Sequence, residues 1–139
     1  MAVARFLIDK SALARGHLGG VAPVIDHLLK AGLLAACGMT ELEVLYSART
    51  AADHKKMRSE FRAAYEWLWT DDKDFHRAIE IHAKLTRLGK HRAVTPPDLV
   101  IAAVAERHRV TLLHYDSDFD MIAEITGQPT QWVVPRGSV

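Results

Sequence analysis

The 139-residue sequence predicts a single three-layer α/β/α domain with a central parallel sheet between helices, and three observations carry that reading. Short apolar runs at residues 3–8, 33–37, 110–113 and 132–134 alternate with longer stretches of helical periodicity, the pattern of strand–helix–strand crossovers. Apolar residues make up 49% of the chain, enough to bury a core without disulfides. No repeat, low-complexity tract or Pro/Gly/Ser linker interrupts it, so the domain spans 1–139.

In chain order, the run at 3–8 ends on Asp9, which reads as a buried strand carrying a carboxylate at its C-terminal end. Ser11 is placed to cap a helical turn over 11–15, before the break at Gly16 and Gly19-Gly20. Val21, Val24, Ile25, Leu28 and Leu29 keep helical spacing, Gly32 ends that helix, and the strand at 33–37 follows. Thr40 with Glu43 three residues on fits a capping box for the next helix. Residues 51–69 and 72–88 read as two long amphipathic helices, a helical hairpin insert broken at Thr70-Asp71-Asp72, with Tyr65, Trp67 and Trp69 as core residues of the pair. Pro96 and Pro97 open a helix whose run from Asp98 to Ala105 is almost wholly apolar and must be buried. A strand at 110–113, a short helix at 118–125 and a strand at 132–134 complete the domain.

Composition excludes several classes. The N-terminal run beginning Met1-Ala2-Val3 is too short for a signal-peptide core, and no stretch reaches the roughly 18 apolar residues of a membrane span. The lone Cys37 closes an apolar run, where a thiol behaves as a small hydrophobe, which suits a reducing cytoplasm. A net charge of +1 neither demands nor excludes a polyanionic partner.

Ligands of parallel α/β sheets gather at the C-terminal ends of the strands. Asp9, Glu43, Asp98 and Asp116 all fall on that edge. Each alone is explained as a helix cap or first-turn acid. Together they repel by roughly 3 kcal/mol per pair at about 5 Å and an effective dielectric near 20, so protons or a cation must intervene. Oxygen ligands suit Mg2+ or Mn2+; the eight histidines are scattered and, with Cys37, give no zinc spacing. A carboxylate-held cation with open water positions suits hydrolysis of a phosphodiester.

Four segments go further: Phe6-Leu7-Ile8-Asp9-Lys10-Ser11-Ala12-Leu13-Ala14-Arg15, Thr40-Glu41-Leu42-Glu43-Val44-Leu45-Tyr46, Pro97-Asp98-Leu99-Val100-Ile101-Ala102-Ala103 and Leu113-His114-Tyr115-Asp116-Ser117-Asp118-Phe119. In this order the chain resembles PIN-domain ribonucleases, and within them the VapC toxins of toxin–antitoxin pairs. The resemblance implies a PIN-like fold and a Mg2+- or Mn2+-dependent endoribonuclease that cuts transfer or ribosomal RNA and so inhibits translation and growth. It also implies a homodimer and a VapB-like antitoxin partner whose C-terminal segment docks over the site.

By motif position Asp9, Glu43, Asp98 and Asp116 are the catalytic acids, with Asp9, Asp98, Asp116 and Asp118 as the metal set. Glu43 takes its place over Glu41 because the family acid stands three residues after the threonine. Ser11 holds a metal-bound water or the Asp9 carboxylate, or caps its own turn. Lys10, where many relatives carry a small hydroxyl residue, points at a substrate phosphate or pairs with a neighbouring acid, the pairing being favoured. Arg15 faces RNA, a partner or solvent. Two basic clusters, Lys55, Lys56, Arg58 and Arg62, and Lys84, Arg87, Lys90, His91 and Arg92, are candidate RNA contacts. The alternatives are a PIN module that binds RNA or a partner without cutting, and an aspartyl phosphatase. The phosphatase needs a second acid two residues after Asp9, where Ser11 stands.

Overall fold

The computed structural model describes residues 3–139, so Met1 and Ala2 of the N-terminal stretch lie outside it. The element order is β1 (Phe6–Ile8), α1 (Lys10–Leu13), α2 (Ala22–Lys30), β2 (Leu34–Ala36), α3 (Gly38–Leu45), α4 (Ala51–Ala64), β3 (Glu66–Trp67), α5 (Asp72–Arg87), α6 (Pro96–His108), β4 (Thr111–His114), α7 (Asp118–Thr126) and β5 (Thr130–Trp132). The five strands form one parallel sheet in the order β3-β2-β1-β4-β5.

Alternation along the strands builds the three layers. Leu7, Ala35 and Leu112 join one buried cluster with α5, α6 and α7 residues such as Ile81, Ile101 and Ile122. Their neighbours Ile8, Leu34 and Leu113 join a second cluster with Ala12, Val21 and Ile25, around α1 and α2. Both sheet faces are therefore covered, as side chains that alternate on a pleated strand require when each side is apolar. Helix α6 is buried over Asp98–Ala105, as its composition demands. Among the described residues no helix is long and apolar enough to cross a membrane.

The insert differs from a helical hairpin. Helix α4 stops at Ala64, and Glu66–Trp67 adds an edge strand to β2 before α5 begins. The two-residue strand sits inside a helix-like pattern, and only pairing with Ala35 and Ala36 reveals it. Trp67 and Trp69 are consequently not core residues: they stand 41% and 62% exposed, with Arg62 and Arg107 lying over their rings at 4.7 and 5.9 Å. Tyr65 does pack against the second cluster. The last strand ends at Trp132 rather than beginning there.

Two caps also differ. Asp9 caps α1, its Oδ2 accepting from the Ser11 N–H at 2.8 Å, while the Ser11 hydroxyl accepts from the Tyr115 N–H at 2.9 Å. Helix α3 starts at Gly38, so Thr40 lies inside it, fully buried against the Cys37 thiol, and there is no Thr40/Glu43 box. Gly32 does close α2, with φ +70, the left-handed conformation a glycine takes without strain.

Helices α5 and α6 run antiparallel, tied by Arg107–Asp74 and Arg77–Glu106 pairs at 2.8 and 2.7 Å. Asp74 also closes a capping box with Asp71. Burial raises its carboxyl pKa, but hydrogen bonds from Arg107 and the Asp71 N–H and the Arg107 charge outweigh this and hold it below the ordinary value. Asp74→Ala is expected to cost about 2 kcal/mol in a denaturant titration at neutral pH. Because the folded value is depressed, that difference is present above the ordinary carboxylate pKa and shrinks as pH falls through it.

Candidate active site

The sheet order puts β2, β1 and β4 side by side, so the residues that follow them meet at one edge. Asp9 follows β1, Glu43 comes from α3 after β2, Asp98 from the first turn of α6, and Asp116 and Asp118 follow β4. Carboxylate oxygens of Asp9, Glu43 and Asp98 lie within 4.8 Å of one another, and those of Asp98, Asp116 and Asp118 do the same. Asp98 is the member common to both triads.

Within this group Asp9 Oδ1 and Glu43 Oε1 are buried without a hydrogen-bond partner. A buried carboxylate oxygen left unpaired is costly, and here two face the same cluster. The electrostatics agree. Burial first, and then the charges of Asp9, Asp116 and Glu43, push Asp98 up to about 7. Burial and the Asp9 charge raise Glu43. Burial and Asp116 raise Asp118. The donor set is all oxygen and mutually repelling, with two of its atoms unpaired, which fits a hard divalent cation.

The remaining sequence-predicted residues separate. Glu43 belongs to the cluster; Glu41 instead accepts from Arg62 Nε and Nη2 at 2.9 and 3.1 Å, with Arg58 at 3.9 Å. Two residues along a helix point to nearly opposite sides, so only one of the two glutamates reaches the edge. Arg58 and Arg62 are thereby taken from the first basic cluster, and Lys56 pairs with Glu60. Ser11 meets the Asp9 carboxylate through its backbone N–H and clips α1 to Tyr115 through its hydroxyl. Lys10 is exposed and forms no ion pair among the described residues, against the favoured pairing role. Its charge nevertheless lowers the Glu43 pKa against the larger upward effect of burial. Arg15 donates to the Ser11 carbonyl at 2.8 Å and lies 4.4 Å over the Tyr115 ring. Ser117 holds the N-cap position of α7, and the Asp118 N–H donates to Asp116 Oδ1 at 2.9 Å.

One positioning residue escapes sequence reasoning. His114 ends β4 fully buried, packed on Phe119 and Trp132, and its Nδ1 accepts from the Asp116 N–H at 3.1 Å. Burial lowers its pKa, so the ring stays neutral with its proton on Nε2. The only sequence signal is a polar residue where the alternation of β4 requires an inward one. His114→Phe keeps the packing and frees the Asp116 backbone; the activity of the acid cluster is expected to fall about tenfold with the circular dichroism spectrum unchanged.

A sequence model of the PIN domain matches residues 6–125. The chain is 48% identical over 134 residues to Ribonuclease VapC21 of Mycobacterium tuberculosis H37Rv, covering 96% of this chain and 97% of the relative. It is 36% identical to Ribonuclease VapC51 of the same strain, with 97% of each covered. The fold is also that of a DNA-bound VapBC from Salmonella typhimurium, with a TM-score of 0.75 at 17% identity over 95% of this chain and 100% of that one. The fold and the acid edge define a PIN domain. The chain belongs to this family and, within it, to the VapC ribonucleases.

Proposed function

We propose that the protein is a Mg2+- or Mn2+-dependent endoribonuclease, the toxin of a toxin–antitoxin pair, which hydrolyses phosphodiester bonds of transfer or ribosomal RNA in the cytoplasm. The observation that carries this reading is the pair of partnerless oxygens, Asp9 Oδ1 and Glu43 Oε1, buried in a cluster shared with Asp98. Asp9, Glu43, Asp98 and Asp116 would hold the cation, with Asp118 beside them. When bound, the ion would polarise the phosphate, lower the pKa of a water and steady the leaving oxygen.

The chain supplies the rest. Asp116 is held at both ends, its N–H on His114 and its Oδ1 under the Asp118 N–H, which restricts the orientation of its carboxylate beside the cluster. Asp9 is fixed in the same way by its cap on α1. Glu43 and Asp98, whose carboxyl pKa values burial and the neighbouring acids raise in the metal-free chain, would orient the attacking water beside the cation. Purified protein incubated with total RNA and Mn2+ tests the reading: internal cleavage that disappears in Asp9→Asn is expected. Cleavage unchanged in that variant rules the mechanism out, and RNA binding without products places the protein among non-cleaving modules.

Several solved structures of the same fold are VapBC assemblies, which supports a VapB-like antitoxin as partner. A homodimer is supported by an apolar groove of 350 Å3 between α5 and α6, lined by Met39, Phe75, Ile79 and Pro97, with Ile79 66% and Phe75 46% exposed. Ile79→Lys is expected to shift the protein from dimer to monomer in light scattering at micromolar concentration.

A further inference from the structure

Strand β4 ends at His114, so Asp116 stands on a segment that has left the sheet and is held by side chains. Tyr115, the residue before it, is gripped along its whole length. Its N–H donates to the Ser11 hydroxyl at 2.9 Å, the Arg15 guanidinium lies 4.4 Å over its ring, and Trp132 meets the ring edge-on at 5.2 Å. Its hydroxyl is the fastening point of residues 135–139. It accepts from the Gly137 N–H at 2.8 Å and the Val139 N–H at 3.4 Å and donates to the Val139 carbonyl at 3.1 Å, which exhausts the capacity of one hydroxyl. The segment is folded to reach it: the Ser138 N–H and hydroxyl both donate to the Pro135 carbonyl, at 3.0 and 2.6 Å, and Gly137 takes φ +80, a conformation that costs a glycine little. All five residues are exposed, so hydrogen bonds rather than burial hold the segment in place. Arg136 and Gly137 also line an open cleft of 560 Å3 that Asp116 borders.

We infer that residues 135–139 are a strap buckled on the Tyr115 hydroxyl, and that the strap positions Asp116 and Asp118 for the cation. The inference rests on the metal-site reading and adds to it a positioning residue, Tyr115, and a segment that contains none of the acids. With Ser11 fastening the backbone end of Tyr115 and the strap its hydroxyl end, the residue cannot swing without breaking one of the two. The planar peptide that follows passes this restraint to Asp116. Once the hydroxyl is released, the turn at 115–117 is free to open locally, because it lies beyond the strand and its ladder bonds. The coupling runs both ways: a cation that needs Asp116 and Asp118 in place also favours the fastened strap.

Two variants undo the buckle from its two sides. Tyr115→Phe keeps the ring and removes the hydroxyl, and Gly137→Pro removes a donor and the left-handed turn in an exposed segment outside the core. The exposed Arg136–Gly137 bond is a trypsin site, and mass spectrometry is expected to show it cut about tenfold faster in both variants. In the metal-free protein the Asp118 amide, which donates to Asp116 Oδ1, is expected to exchange its hydrogen about tenfold faster in both by NMR. Calorimetric titration with Mn2+ should show affinity reduced about tenfold, and saturating Mn2+ should slow the trypsin cut of the unaltered protein by a similar factor. Variants that lose the strap to trypsin yet keep the Asp118 exchange rate and Mn2+ affinity of the unaltered protein overturn the inference, since the strap is then packing alone. An unchanged trypsin rate in Tyr115→Phe overturns it too, because the hydroxyl is then not the fastening. The metal-site reading fails separately, if the unaltered protein binds no Mn2+; the trypsin and exchange rates then still decide whether the strap holds the Asp116 turn.

Discussion

Asp98→Asn is expected to lower RNA cleavage by about a thousandfold while raising the melting temperature of the metal-free protein by several degrees. Both effects come from one position. Asp98 alone belongs to both carboxylate triads, so its loss removes a ligand from each. In the metal-free protein the same carboxyl is pushed up to about 7 by burial and by Asp9, Asp116 and Glu43, so ionising it opposes folding. A folded value above the unfolded one stabilises the protonated protein below the ordinary carboxylate pKa, and that stabilisation is lost as pH rises through about 7. The advantage of asparagine should therefore be absent near pH 4 and grow towards neutrality, reaching the order of 4 kcal/mol at most. Thermal unfolding in EDTA across that range measures it. A variant that loses activity because it unfolds, or one that gains stability equally at every pH, contradicts the account.

Divalent metal is expected to reverse the same penalty. At about a hundredfold over its dissociation constant, Mg2+ or Mn2+ adds roughly 2.7 kcal/mol to the unfolding free energy of the unaltered protein, because the unfolded chain has no assembled site to compete. Asp9→Asn removes an oxygen that is buried and unpaired, and should abolish most of that gain. Calorimetric melting with and without EDTA separates the two proteins. An identical metal-induced shift in both would place the cation elsewhere. Together with the Asp98 result, this distinguishes residues that bind the ion from residues that merely crowd it.

These expectations rest on residues that sequence reasoning reaches to different degrees. Asp9 and Asp116 are legible because each ends a short apolar strand, and the C-terminal edge of a parallel sheet is where such residues converge. Asp98 is legible from the two prolines that open an otherwise apolar helix. Glu43 is separated from Glu41 only by motif position in sequence; in the structure the Arg62 contact decides it. His114 shows in the sequence only as a polar residue at an inward position, and its role depends on which side chains β4 and β5 bring together across the chain.

Local physics by itself determined the strand–helix alternation, the burial of α6, the Gly32 stop and the strand-end positions of Asp9 and Asp116, because each follows from periodicity, a backbone conformation or a strand end within a few residues. Tertiary structure decided the rest. β3 exists only because β2 offers an edge to Glu66 and Trp67. Asp9 rather than Ser11 caps α1 because the Ser11 hydroxyl is taken by a backbone N–H 104 residues away, at Tyr115. Lys10 and Arg15 line an open cleft with Tyr115 and Trp132 because β1 and β4 are neighbours in the sheet. Pairing partners distant in sequence carry no local signal, and it is they that turn four scattered acids into one site with a basic, aromatic cleft beside it.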